Sequence, residues 1–140
     1  MKPVLLDSGV IVALLDRSEH FHRACADAVP SLETPLITCE AVITESCYLL
    51  RKIPGAREAV LRNISEGIIH VPFQLSQQAT VVEAILRKYR DREMDLADAC
   101  LIVLANEFET GDILTLDSDF KTYRWGRNKP FQILPAGLAG

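Results

Sequence analysis

The sequence lacks several features that would otherwise decide its class. No apolar run approaches the ~20 residues needed to cross a bilayer, and no charged stretch followed by an apolar one opens the chain. The expectation is therefore a cytoplasmic protein without a membrane partner. The four cysteines, Cys25, Cys39, Cys47 and Cys100, form no C-x-x-C pair and have no histidine at zinc-finger spacing. They read as buried thiols in a reducing compartment. No Gly-rich phosphate loop is present, and no serine or cysteine lies in a recognisable nucleophile motif, which removes the usual nucleotide-hydrolase alternatives. Histidine is scarce: His20 and His22 are two apart and cannot share a helix face, and His70 falls in an apolar strand, so all three read as packing or surface residues. A surplus of basic charge is missing too. The formal net charge of −4 argues against a generic basic nucleic-acid coat, although an acidic pocket that loads metal contributes negative charge whatever its substrate.

What is present is a chain of 140 residues, 49% hydrophobic, enough for one domain over residues 1–140 whose core needs no staples. Short apolar runs read as buried strands at Lys2–Leu6, Pro35–Thr38, Ile68–Val71, Ile113–Leu116 and Phe131–Leu134. Between them the pattern predicts helices over Val10–Leu15, His20–Val29, Cys39–Lys52, Ala56–Ser65, Ser76–Arg90 and Met94–Glu107, with Thr38 and Ser76 as candidate caps and Pro54-Gly55 as a breaker. Strands that are apolar throughout, alternating with helices, imply a parallel sheet covered on both faces.

Four acids stand out in this frame. Asp7 follows the first strand and Asp117 the fourth, at the carboxyl edge where open parallel sheets bind ligands. Asp7 could instead cap the next helix, but Ser8 can take that role and leave Asp7 free. Glu45 has Ala41 and Leu49 one turn away, so its carboxylate emerges between apolar positions and needs a partner; Arg51 or Lys52 could supply one. Asp98 lies on a helix that is apolar almost all round, while Asp95 suits that helix's N-cap, with Asp98 at the third position. In Asp117-Ser118-Asp119-Phe120 both acids fit a turn. Each acid has a structural explanation alone. Together, converging like charges need protons or a hard cation such as Mg²⁺ or Mn²⁺.

The stretches Leu5-Leu6-Asp7-Ser8-Gly9, Ile37-Thr38-Cys39-Glu40-Ala41-Val42-Ile43-Thr44-Glu45, Leu96-Ala97-Asp98-Ala99 and Ile113-Leu114-Thr115-Leu116-Asp117-Ser118-Asp119-Phe120 resemble, in order, the four motifs of the PIN-domain ribonucleases. Within that family the resemblance is to the VapC-type toxins of toxin–antitoxin pairs, and it covers essentially the whole chain. It implies an α/β fold, a three-layer α/β/α sandwich around a parallel sheet of about five strands. It also implies a homodimer, a cognate antitoxin, and Mg²⁺- or Mn²⁺-dependent hydrolysis of RNA. The catalytic and metal-binding roles would fall to Asp7, Glu45, Asp98 and Asp117. Asp95 and Asp119 are accessory candidates, Asp117 being favoured over Asp119 because it immediately follows the strand run.

An acidic pocket needs cations at its rim to hold a phosphate backbone. Lys121, Arg124 and Arg127, interleaved with Tyr123 and Trp125, are the candidate RNA contacts, together with Ser8. Two other classes remain open: another Mg²⁺-dependent phosphohydrolase, which would usually carry a second acid where Gly9 stands, and a non-catalytic PIN-like protein-binding module.

Overall fold

The structure, a computed structural model, describes residues 2–138. Strands β1 (Val4–Leu6), β2 (Leu36–Ile37), β3 (Ile69–His70), β4 (Asp112–Leu114) and β7 (Gln132–Leu134) form one parallel sheet in the order β3-β2-β1-β4-β7. Strands β5 (Arg124–Trp125) and β6 (Lys129–Pro130) pair separately as an antiparallel hairpin. The helices are α1 (Ser8–Leu15), α2 (His22–Ala28), α3 (Glu40–Leu49), α4 (Ala56–Ser65), α5 (Leu75–Lys88) and α6 (Leu96–Phe108).

From β1 the chain steps outward through β2 to β3 and then returns past β1 to β4. Right-handed crossovers in these two opposite directions put helices on both faces, so α1, α2 and α4 cover one side and α5 and α6 the other. The reversal falls between β1 and β4, whose residues Leu5 and Leu6 lie opposite Ile113 and Leu114. All four of those side chains are fully buried, and each stabilises the fold by about 1.5–3 kcal/mol. Helix α6 buries nine consecutive residues, Ala97 to Ala105, as its all-round apolar sequence implies. Helix α5 keeps only Val82 fully buried and turns its polar face to solvent.

Several local expectations give way to longer-range contacts. Thr38 does not cap α3: its hydroxyl donates to the carbonyl of Leu6 at 2.7 Å, tying β2 to the end of β1, and Cys39 holds the cap position. Ser76 lies inside the first turn of α5, and Gln74 precedes that helix. The predicted helix over His20–Val29 shortens to α2, with a 3₁₀ turn at Val29–Ser31. Cys25, Cys39 and Cys100 are buried, whereas Cys47 is only half-buried.

The β5–β6 hairpin was not anticipated at all. It turns through Gly126 and Asn128, whose φ angles of 57° and 59° lie in the left-handed region. Trp125 lies flat enough on Gly111 that a Cβ there would sit 2.0 Å from its indole nitrogen, so only glycine fits beneath it.

Candidate active site

Asp7 sits where β1 ends and α1 begins, its amide bonded to the carbonyl of Leu114 across the strand reversal. Its backbone is extended and it caps α1 itself: Oδ1 accepts the amide of Ser8 at 2.8 Å. The expectation that Ser8 would cap and release Asp7 is thus overturned. Ser8 is the first residue of α1, and its hydroxyl donates instead to Glu45 Oε1. Capping does not exhaust Asp7, because each carboxylate oxygen carries two lone pairs and each here accepts one bond. The second bond, to Oδ2, comes from the hydroxyl of Thr115 at 2.7 Å.

Asp98 comes from the first turn of α6. Asp95 caps that helix, accepting the Asp98 amide at 2.9 Å, and so fixes the turn that aims Asp98 inward. Asp98 is buried, and among the described residues the one side-chain hydrogen bond to its carboxylate comes from the hydroxyl of Tyr123, at 3.5 Å. Tyr123 is itself immobilised in an edge-to-face aromatic group with Phe120 and Tyr89, both 5.1 Å away. Strand β4 stops at Leu114, so Asp117 lies three residues beyond it. It caps the 3₁₀ turn Ser118–Lys121 by accepting the amide of Asp119 at 2.9 Å, and its own amide bonds to Thr115 Oγ1 at 3.0 Å.

Asp7, Asp98 and Asp117 can each present one oxygen such that all three lie within 4.8 Å of one another. They line a cleft of about 230 Å³ with Ser8, Gly9, Glu45, Asp95 and Leu116. No cation balances them: among the described residues the ion pairs are Arg23–Asp27 and Arg87–Glu83, both on exposed helix faces. Burial therefore pushes Asp7 up to about 6 despite its bonds from Thr115 and Ser8. Burial, reinforced by the charges of Asp95, Asp7, Asp117 and Asp119, pushes Asp98 up to about 8. Asp117 is raised as well, first by burial. Oxygen donors packed together without a counter-charge are the donor set a hard divalent cation neutralises, so the residues fit such an ion.

The structure brings some of the sequence candidates together and separates others. Glu45 is not wedged between apolar groups. It stands exposed on the rim, because α3 packs through Val42 and Ser46 and leaves Leu49 about half exposed, at 52%. Neither expected ion-pair partner reaches it, and Arg51 stacks on Tyr48 with its guanidinium 4.0 Å from the ring centre. Asp119 is exposed and does not line the cleft, which separates it from Asp117. Lys121 ends the turn that Asp117 caps. Arg124 directs one guanidinium nitrogen to the carbonyls of Lys121, Thr122 and Tyr123. Arg127 lies on the hairpin at the other end of α6, away from the acids.

Thr115 is the residue the sequence reading missed. One hydroxyl holds Asp7 and receives the Asp117 amide, joining two of the three acids. Its signal was a lone hydroxyl in an otherwise apolar run, two residues before an acid. Thr115→Val keeps the shape and removes that link. The expected cost is about 1–3 kcal/mol in urea unfolding and roughly 10–100-fold in Mn²⁺ affinity by calorimetry. Wild-type values in both would show that Thr115 positions nothing.

The PIN domain family matches residues 4–126. Ribonuclease VapC26 of Mycobacterium tuberculosis is 30% identical over 116 residues, spanning 81% of this chain and 86% of that protein. The crystal structure of Mycobacterium tuberculosis VapC20, described as a sarcin-ricin loop cleaving toxin, superposes with a TM-score of 0.71 at 16% identity, over 79% of this chain and 86% of that one. A family match over most of the sequence, on a parallel sheet whose strand-order reversal carries the acids, makes this chain a member of the PIN-domain family.

Proposed function

We propose that the chain is a divalent-metal-dependent endoribonuclease, the toxin of a toxin–antitoxin pair. The observation that carries the reading is the convergence of Asp7, Asp98 and Asp117 within 4.8 Å in a cleft without a balancing cation. RNA as the substrate is supported by the relative VapC26, which is named a ribonuclease. An all-oxygen donor set without cysteine or histidine favours Mg²⁺ or Mn²⁺ over softer metals.

In this reading Asp7, Asp98 and Asp117 hold the ion, and Glu45 completes the site from α3. A divalent ion there supplies positive charge against the scissile phosphate and acidifies water for an in-line attack. The protein's own part is positional. Thr115 and the Ser8 amide fix both oxygens of Asp7, the Asp95 cap orients Asp98, and the Ser8 hydroxyl keeps Glu45 facing the cleft. Asp98, which burial keeps protonated near neutral pH without a cation, must release its proton for the site to load. No helix among the described residues is long and apolar enough to cross a membrane. Action in the cytoplasm, a homodimeric state and a cognate antitoxin belong to the same proposal.

The test is cleavage of a labelled RNA by the purified wild-type chain. Cutting is expected with Mg²⁺ or Mn²⁺ and none in EDTA. Equal cutting in EDTA would sink the metal-dependent reading, and no cutting with any divalent ion would sink the nuclease.

A further inference from the structure

The acidic cleft repels phosphate until it is loaded, so an RNA strand needs an anchor elsewhere. Residues Lys121 to Lys129 hold four cations and no acid, in a chain whose formal net charge is −4. Among the described residues none of the four enters an ion pair. The segment starts beside the cleft, at the turn capped by Asp117, and ends on the β5–β6 hairpin at the far end of α6. There Lys2, Arg127 and Lys129 line a cleft of about 350 Å³ with Trp125, Asn106 and Glu109, so three cations face one carboxylate.

This patch is built rather than loose. Asn106 accepts the Gly126 amide at 2.6 Å and pins the hairpin to α6. Trp125 is held from two sides, by Gly111 beneath it and by its indole N–H donating to the carbonyl of Pro130 at 3.2 Å. Lys129 sits 4.8 Å over the ring, so cations and an indole share this patch, the residue types that bind single strands through phosphate contact and base stacking. From Asp98 to Glu109 along α6 is roughly 16 Å, about five stacked nucleotides at ~3.4 Å each.

We propose that Lys121, Arg124, Arg127, Lys129 and Lys2 form a cationic track, closed by Trp125, that carries the RNA strand from the acidic cleft to the opposite edge of the sheet. The proposal rests on the ribonuclease reading and adds where the uncut part of the substrate lies. RNA is favoured over an acidic protein segment because the strip begins on the turn that Asp117 caps and includes a fixed indole.

The test compares fluorescein-labelled unstructured RNAs of 20 and 4 nucleotides binding the full chain in EDTA, by anisotropy across a salt series. Arg127→Gln combined with Lys129→Gln and Lys2→Gln is expected to shrink the advantage of the long RNA about ten-fold. It should also flatten the slope of log affinity against log salt by about 2, since each lost phosphate contact removes ~0.7. Trp125 fluorescence reports whether the hairpin is intact in the triple variant, and charge reversal at Arg127→Glu alone must weaken the long RNA in the same direction. An unchanged long-RNA advantage and slope overturn the track, as does loss of binding to an acidic peptide alone, while metal-dependent cutting by the wild type leaves the nuclease reading standing. A wild type that neither binds nor cuts RNA overturns both.

Discussion

Asp98→Asn is expected to stop RNA cleavage, by at least about 1,000-fold, in a protein that melts no earlier than the wild type in EDTA at pH 7. The two halves of this result have one cause. Burial, reinforced by the charges of Asp95, Asp7, Asp117 and Asp119, holds the Asp98 carboxyl protonated up to about pH 8 without a cation. An amide of the same shape replaces a neutral acid without creating a cavity or a buried charge. Loading the site, however, requires the anionic form, which asparagine cannot supply. Asp7→Asn should silence cleavage as completely but melt earlier, because its amide group presents a donor where Asp7 accepts from Ser8 and Thr115. Calorimetry and cleavage of labelled RNA measure both. Cutting by Asp98→Asn within ten-fold of the wild type would remove Asp98 from the machinery.

The second large effect is a stability profile that runs opposite to ordinary acid denaturation. In the unfolded chain these aspartates titrate near 3.9, whereas in the folded chain Asp7 titrates at about 6 and Asp98 at about 8. Between roughly pH 4 and pH 8 the folded state therefore holds protons that the unfolded state has lost. Stability must fall as pH rises across that window, and below it these groups contribute no further change. The metal-free protein should melt at a temperature about 5–10 °C lower at pH 8.5 than at pH 5.5, corresponding to ~2 kcal/mol. Mg²⁺ or Mn²⁺, replacing the protons as counter-charge, should raise the melting temperature, and more at pH 8.5 than at pH 5.5. A metal-free melting temperature that rises with pH would mean that the three acids are not packed together as described.

How much of this was legible in the sequence depends on whether the signal was local. Helix α4 begins where predicted because Pro54-Gly55 breaks the chain just before it, and α6 was plain from its apolar run. The five sheet strands and their parallel character followed from apolar stretches set between helices. Caps were harder. A hydroxyl at a helix start has several acceptors in reach, and for Thr38 the one that won, the Leu6 carbonyl, lies on another strand. Glu45 was chosen for the wrong reason: its helical neighbours are apolar, but that face of α3 is open, and what holds the carboxylate is Ser8, 37 residues away. The β5–β6 hairpin read as a charged loop, since Pro130 and the cations hide a strand pair that depends on Trp125 packing on Gly111.

The bond between Thr115 and Asp7 spans 108 residues of sequence. Two of the acids it organises cannot meet until β4 has docked beside β1, and a contact so distant along the chain forms late. During translation the first acid emerges early and waits for the third. A nascent chain therefore cannot assemble the three-acid site until α6 and β4 have emerged and packed beside the first strand.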